Sequence, residues 1–228
     1  MQILCEDNIT EKLYSLYNQL LAQHGDRKWW PADTPFEVAL GAILTQATSW
    51  RNVEKAMENL RNAGAFTAEE IASISQTALE QLIRPSRYFR MKAQKVRAFV
   101  DYITERPMHV MFAQDVPQLR EELLSIYGVG PETADTIILY AASKPSFVVD
   151  SYTYRLFSRL GWIEGKYNYA KLRAMFMDNL PHDVELFNEY HALIVRHGAR
   201  VCHKRTPSCQ ECRLRESCEY YNASEQES

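Results

Sequence analysis

The sequence has no apolar run approaching the roughly 20 residues that a membrane-spanning helix needs. Its opening residues, MQILCEDNIT, lack the basic flank and apolar run of a secretion signal, so a cytoplasmic, nucleoid-associated location is expected. Strand-like alternation of apolar and polar residues is nearly absent. No internal repeat is found, and no low-complexity segment except the polar tail from Asn222 to Ser228. An excess of positive charge is missing too: 26 Lys and Arg stand against 29 Asp and Glu, for a net charge of −3. Taken alone, that balance argues mildly against a nucleic-acid partner, because DNA binding is driven largely by neutralising phosphates.

With 46% apolar residues over 228 positions, the chain can bury a proper core, as one large domain or two small ones packed together. Helical periodicity dominates. Leu13, Leu16, Tyr17, Leu20 and Leu21 make one apolar stripe, and Leu186, Tyr190, Leu193 and Ile194 another. The segment from Phe36 to Ala47 is apolar most of the way round, the pattern of a helix buried inside a bundle. Prolines punctuate the chain between helical stretches, and about ten short helices in an all-α fold are expected. The cations are unevenly placed. Arg84, Arg87, Arg90, Lys92, Lys95 and Arg97 fall in a stretch without acids, and Arg196, Arg200, Lys204 and Arg205 form a second group. Such stretches are most often solvated helix faces, and they also suit DNA contact.

Four of the five cysteines, Cys202, Cys209, Cys212 and Cys218, lie within 17 residues at the spacing C-x6-C-x2-C-x5-C. In a cytosolic protein disulfides are disfavoured, so a metal site is the stronger reading. Tetrahedral sulfur ligation suits zinc or an iron-sulfur cluster alike. Zinc boxes usually pair two short knuckles, whereas here only the middle gap is short, which favours the cluster. Cys5 stands apart as an ordinary thiol.

Residues 124 to 139, LSIYGVGPETADTIIL, read as a helix end, a turn Gly128-Val129-Gly130, and a new helix with Pro131 at its first position. Such a turn is commonly a plain helix-helix connection. It also presents a helix N-terminus, which favours a phosphate. Farther on, Phe147-Val148-Val149 delivers Asp150 to the start of another helix. There it would act as an N-cap, and the helix N-terminus would keep it anionic, as needed to stabilise positive charge on a sugar.

Together these features resemble the helix-hairpin-helix DNA glycosylases of the endonuclease III superfamily, from about Leu13 to Cys218. The cysteine spacing is similar to that family's [4Fe-4S] loop, here residues 202–218. The resemblance implies an all-α, two-lobed fold: a six-helix barrel over residues 27–138, and a cluster lobe from residues 1–26 and 139–228. It implies a monomer acting on duplex DNA that contains a damaged base, with no membrane partner. Residue by residue, Asp150 matches the catalytic aspartate, Gly128 and Gly130 the phosphate-holding hairpin glycines, and Gln46 the glutamine that fills the gap left by a flipped nucleotide. The cluster is then expected to hold a loop whose Arg200, Lys204 and Arg205 face the DNA backbone. Bifunctional members carry a lysine two residues after the second hairpin glycine, where this chain has Glu132. A carboxylate cannot form the Schiff base that leads to strand cleavage. A monofunctional glycosylase is therefore expected, with water as nucleophile, Asp150 stabilising the sugar cation and Glu132 lining the pocket.

Among branches of the family, the local sequence is most similar to 3-methyladenine DNA glycosylase III. The matching stretches are Trp29-Trp30-Pro31, Phe36 to Trp50, Arg84-Pro85-Ser86 and GVGPETADTIILYA followed by VVDSYTYRL, Glu132 included. A ring-alkylated purine is cationic and leaves readily, so its enzyme needs selection more than acid catalysis. Aromatic faces attract such a cation by about 1 kcal/mol or more when desolvated. Trp29, Trp30 and Trp50 would supply them, with Trp29 and Trp50 as the sandwich; they could equally be core anchors. Two departures stand against that branch: it lacks the cluster cysteines, and it has a lysine where this chain has Ala199 after His197-Gly198. The alternatives are a mismatch glycosylase for thymine or uracil opposite guanine, an adenine- or oxidised-pyrimidine-specific enzyme, and a non-catalytic iron-sulfur DNA-binding module.

Overall fold

The computed structural model describes residues 1–3, 8–26 and 32–226, the side chains of 224–226 excepted. Cys5, Trp29 and Trp30 lie outside the described residues. In chain order the elements are β1 (Gln2–Ile3), α1 (Ile9–His24), α2 (Pro35–Thr45), α3 (Trp50–Asn62), α4 (Ala68–Ser73), α5 (Gln76–Leu82), α6 (Phe89–Glu105), α7 (Met108–Phe112) and α8 (Val116–Ser125). Then come α9 (Pro131–Thr136), α10 (Ser151–Arg159), β2 (Ile163–Glu164), α11 (Tyr169–Met177), α12 (Val184–Arg200) and α13 (Glu219–Gln226). Among the described residues there are thus thirteen α-helices, more than the ten expected. Helices such as α4 and α7, of 6 and 5 residues, are too short for the helical period to repeat. A small antiparallel pair, Gln2 opposite Glu164 and Ile3 opposite Ile163, supplies the strand content among the described residues. No helix among them is long and apolar enough to cross a membrane.

The chain divides into two compact units, one formed by Met1–Trp29 and Pro145–Ser228, the other by Trp30–Lys144. The Trp30–Lys144 unit is built round α2. Thr34 caps this helix by accepting from the Glu37 amide, Pro35 sits at its first position, and every residue from Glu37 to Leu44 is buried. Leu40, Ile43 and Leu44 pack in one core with Val53, Leu60, Phe99, Val100, Leu119, Leu123 and Ile137. Caps fix the joints: Thr67 and Glu70 form a capping box on α4, Ser75 caps α5 and Asp115 caps α8. Helix α9 runs on into a π-helical turn, Ile137–Ala141, which packs along α2.

In the other unit, α1, α10 and α12 surround an aromatic cluster. Phe147 stacks on Phe176 at 3.7 Å between ring centroids, and the rings of Phe187 and Tyr190 meet it edge-on. The fully buried Tyr190 donates its hydroxyl to the Leu13 carbonyl at 2.9 Å, tying α12 to α1. Truncating a phenylalanine in such a core costs about 3–5 kcal/mol. The buried strap Phe147-Val148-Val149 is anchored there and leads directly into Asp150. Helices α10 and α12 approach closely at Gly198, where an added Cβ would come within 2.4 Å of the Tyr152 ring.

Candidate functional site

In the Trp30–Lys144 unit the hairpin and the end of α2 form one assembly. Gly128 has φ +86°, and a Cβ there would fall 2.2 Å from Lys95 Cγ, so both conformation and packing require glycine. Gly130 has φ −91° and open space where a Cβ would stand, so neither conformation nor packing requires glycine there. Pro131 opens α9 and Glu132 is the acidic residue of its first turn, exposed, where a carboxylate complements the helix dipole. Gln46, just past α2, donates from Nε2 to the Gly128 carbonyl (2.9 Å) and to Thr133 Oγ1 (3.0 Å), while Lys95 Nζ donates to its Oε1 at 2.6 Å. Gln46 and the hairpin, 82 residues apart in sequence, are therefore brought together. Trp50 starts α3, half-buried, packed against the core.

The basic stretch 84–97 does not form a uniform surface. Lys92 is buried and donates from Nζ to the carbonyls of Leu44 and Ser86; burial, with Lys95 nearby, lowers its pKa to about 8. Arg97 donates to the carbonyls of Ile71, Ala72 and Ile74 at the end of α4. Arg84, Arg87 and Arg90 are left exposed, beside an uncommon turn in which Arg87 and Tyr88 both have positive φ, 61° and 45°. Tyr88 is 65% exposed there.

In the other unit Asp150 caps α10. Its Oδ1 accepts from the Thr153 amide at 2.8 Å and from Thr153 Oγ1 at 2.9 Å, and Thr153 Oγ1 accepts from the Asp150 amide at 3.4 Å, completing a capping box. Its Oδ2 lies 3.8 Å from Nε2 of His191, on α12. Asp150 is 9% exposed and His191 6%. Burial lowers the His191 pKa below the usual histidine value and so favours the neutral imidazole, the nearby Asp150 charge opposing it. Sequence reading missed His191, because the contact joins residues 41 positions apart and an apolar helix face hides one polar member.

Cys202, Cys209, Cys212 and Cys218 all line one pocket, walled by Leu156, Leu160, Val201 and Leu214. None of the four is joined in a disulfide. Arg159 donates from Nη1 to Cys202 Sγ at 3.1 Å, and Cys218 donates to the Arg159 carbonyl. Burial pushes the Cys212 thiol up to about 11 and also raises that of Cys218. Among the described residues no group of three or more His, Cys, Asp and Glu is arranged to hold a metal ion. Nearby, Arg200 ends α12 and is exposed, as are Lys204 and Arg205.

A profile described as HhH-GPD superfamily base excision DNA repair protein matches residues 40–182. The chain is 43% identical over 217 residues, covering 93% of itself and 98% of the relative, to a protein of Methanocaldococcus jannaschii named as a DNA repair glycosylase, MJ1434. It is also 32% identical to endonuclease III of Thermotoga maritima, covering 82% of this chain and 84% of that one. Among solved structures it is similar to the H. pylori 3-methyladenine DNA glycosylase MagIII bound to 1,N6-ethenoadenine, with TM-score 0.72 and 29% identity over 85% of this chain and 98% of that one. The chain belongs to the HhH-GPD superfamily of base excision DNA repair proteins, as its resemblance to the endonuclease III group implied. Its all-α fold and its class, a DNA glycosylase that hydrolyses N-glycosyl bonds, follow from that membership.

Proposed function

We propose that the protein is a monofunctional glycosylase that flips an alkylated purine such as 3-methyladenine out of duplex DNA and hydrolyses its glycosidic bond. The observation that carries this reading is Glu132 at the head of α9, where the bifunctional relatives described above carry their amine nucleophile. The similarity to MagIII, a 3-methyladenine glycosylase, supports the choice of base. Among the described residues, Lys95 beside the hairpin is bonded to Gln46, and Lys92 is buried on two carbonyls. Asp150 stabilises the oxocarbenium-like sugar and orients the attacking water through the carboxylate oxygen that Thr153 leaves over. A base alkylated on a ring nitrogen already bears positive charge, so the reaction needs no strong general acid.

Gln46 fills the gap left by the flipped nucleotide, and Gly128 and Gly130 hold a backbone phosphate at the α9 N-terminus. Trp50 offers an aromatic face to the cationic base, the role expected also of Trp29 and Trp30, which lie outside the described residues. The four cysteines fit an iron-sulfur cluster as far as donor chemistry goes: four sulfurs line one apolar pocket, and an arginine donates to one of them. Cys202, Cys209, Cys212 and Cys218 would hold a [4Fe-4S] cluster as a structural staple, fixing Arg200, Lys204 and Arg205 toward the DNA backbone. Equal DNA affinity of cluster-free and intact protein at one salt concentration would remove that role. The test of the function is incubation with methylated duplex DNA. Release of 3-methyladenine, identified by chromatography, with strands intact until alkali is added, is the expected result. No release, or breakage without alkali, would return the choice to oxidised pyrimidines and mismatches.

A further inference from the structure

We propose that His191 is a positioning residue for Asp150, its Nε2 orienting the Oδ2 oxygen that Thr153 does not hold. The proposal rests on the reading of Asp150 as the stabiliser of the sugar cation. Asp150 is gripped unevenly. Both bonds from Thr153 end on Oδ1, and Nε2 of His191 stands 3.8 Å from Oδ2. That separation is longer than a hydrogen bond, and contacts of this kind tighten when substrate closes a site.

His191 lies on a stretch of α12 that is buried throughout, from Tyr190 to Ile194, and is itself only 6% exposed, so its place is set by the core rather than by solvent. The chemistry of the donor matters as much as its place. An arginine or lysine beside Oδ2 would cancel the carboxylate charge that the sugar cation has to feel. A neutral imidazole orients the oxygen and leaves that charge intact, and the burial of His191 favours the neutral form.

Two measurements test this. Long-range nitrogen-15 spectra of the free protein near pH 7, with the His191 signal assigned by its loss in His191→Gln, are expected to show the neutral Nε2–H tautomer. A neutral Nδ1–H tautomer or an imidazolium would overturn the proposal. The second is single-turnover base release by wild type, His191→Gln, His191→Asn and Asp150→Asn. The substrate is whichever of 3-methyladenine, 1,N6-ethenoadenine and thymine-guanine duplexes the wild type clears fastest. Glutamine can place an amide N–H about where Nε2 stands, whereas asparagine, of the same chemistry, stops short. His191→Asn is expected to slow release by about tenfold to a hundredfold, as a misplaced catalytic group does. His191→Gln should stay close to wild type, with DNA affinity and melting temperature alike in the two variants. Equal rates for the two would sink the proposal while loss of activity in Asp150→Asn left the catalytic reading standing. Full activity in Asp150→Asn would instead bring down both.

Discussion

Asp150 caps a helix and is proposed to face a cation, and the two roles can be separated by substitution. Asparagine at position 150 keeps a carbonyl oxygen to accept from the Thr153 amide, so the cap survives; alanine removes it. Loss of an N-cap costs about 1 kcal/mol, which for a chain of this size lowers the melting temperature by roughly 2–4 °C. The charge is a different quantity. A carboxylate about 4 Å from a developing unit positive charge, at an effective permittivity of about 20, contributes roughly 4 kcal/mol. In a transition state that is about a thousandfold in rate. Asp150→Asn should therefore melt near the wild type and release base about a thousandfold more slowly. Asp150→Ala should share the slow rate and melt several degrees lower. Single-turnover release and thermal unfolding, measured on the same preparations, decide the matter. If asparagine and alanine melt alike and below wild type, the capping argument is wrong; if asparagine retains the rate within a few fold, the electrostatic argument is wrong.

Replacing Glu132 with lysine puts an amine at the head of α9; the variant is expected to give a borohydride-trapped protein-DNA adduct that the wild type does not. Gly128→Ala should destabilise by about 1–3 kcal/mol and weaken DNA binding, because φ is +86° and Lys95 fills the space, whereas Gly130→Ala should be nearly neutral in urea unfolding. Lys92 has a folded pKa of about 8 against an ordinary 10.5. Between those values the unfolded chain holds a proton that folded Lys92 has released, so this residue's contribution to stability rises with pH across that window. The difference in urea midpoint between wild type and Lys92→Met, followed upward from about pH 8, should move in the wild type's favour; a flat difference would show that Lys92 titrates normally.

The parts of the fold that were legible in the sequence rest on local chemistry. The local sequence around GVGP suffices to end one helix and begin another, with Pro131 at the first position as found. The apolar strap before Asp150 announces a buried segment reaching a cap, and the all-round apolar pattern of α2 announces a central helix. The rest depends on partners far along the chain. Lys92, read as part of a basic surface, is buried because carbonyls at Leu44 and Ser86 accept from it, and nothing in its neighbours signals that. Arg97 is spent on the end of α4, Gln46 is held by the hairpin, and His191 meets Asp150 across two helices. Charge counting sees residue types, and each of these four side chains depends on at least one partner distant in sequence.

The tether of Gln46 has a mechanical consequence. Its amide spans the Gly128 carbonyl and the Thr133 hydroxyl on one side and the Lys95 ammonium on the other. On the proposed reading, the residue that enters the vacated stack and the turn that grips the phosphate are thus a single moving part. A shift of the turn would carry the glutamine with it, so distorting either one should disturb both the grip on the backbone and the filling of the stack.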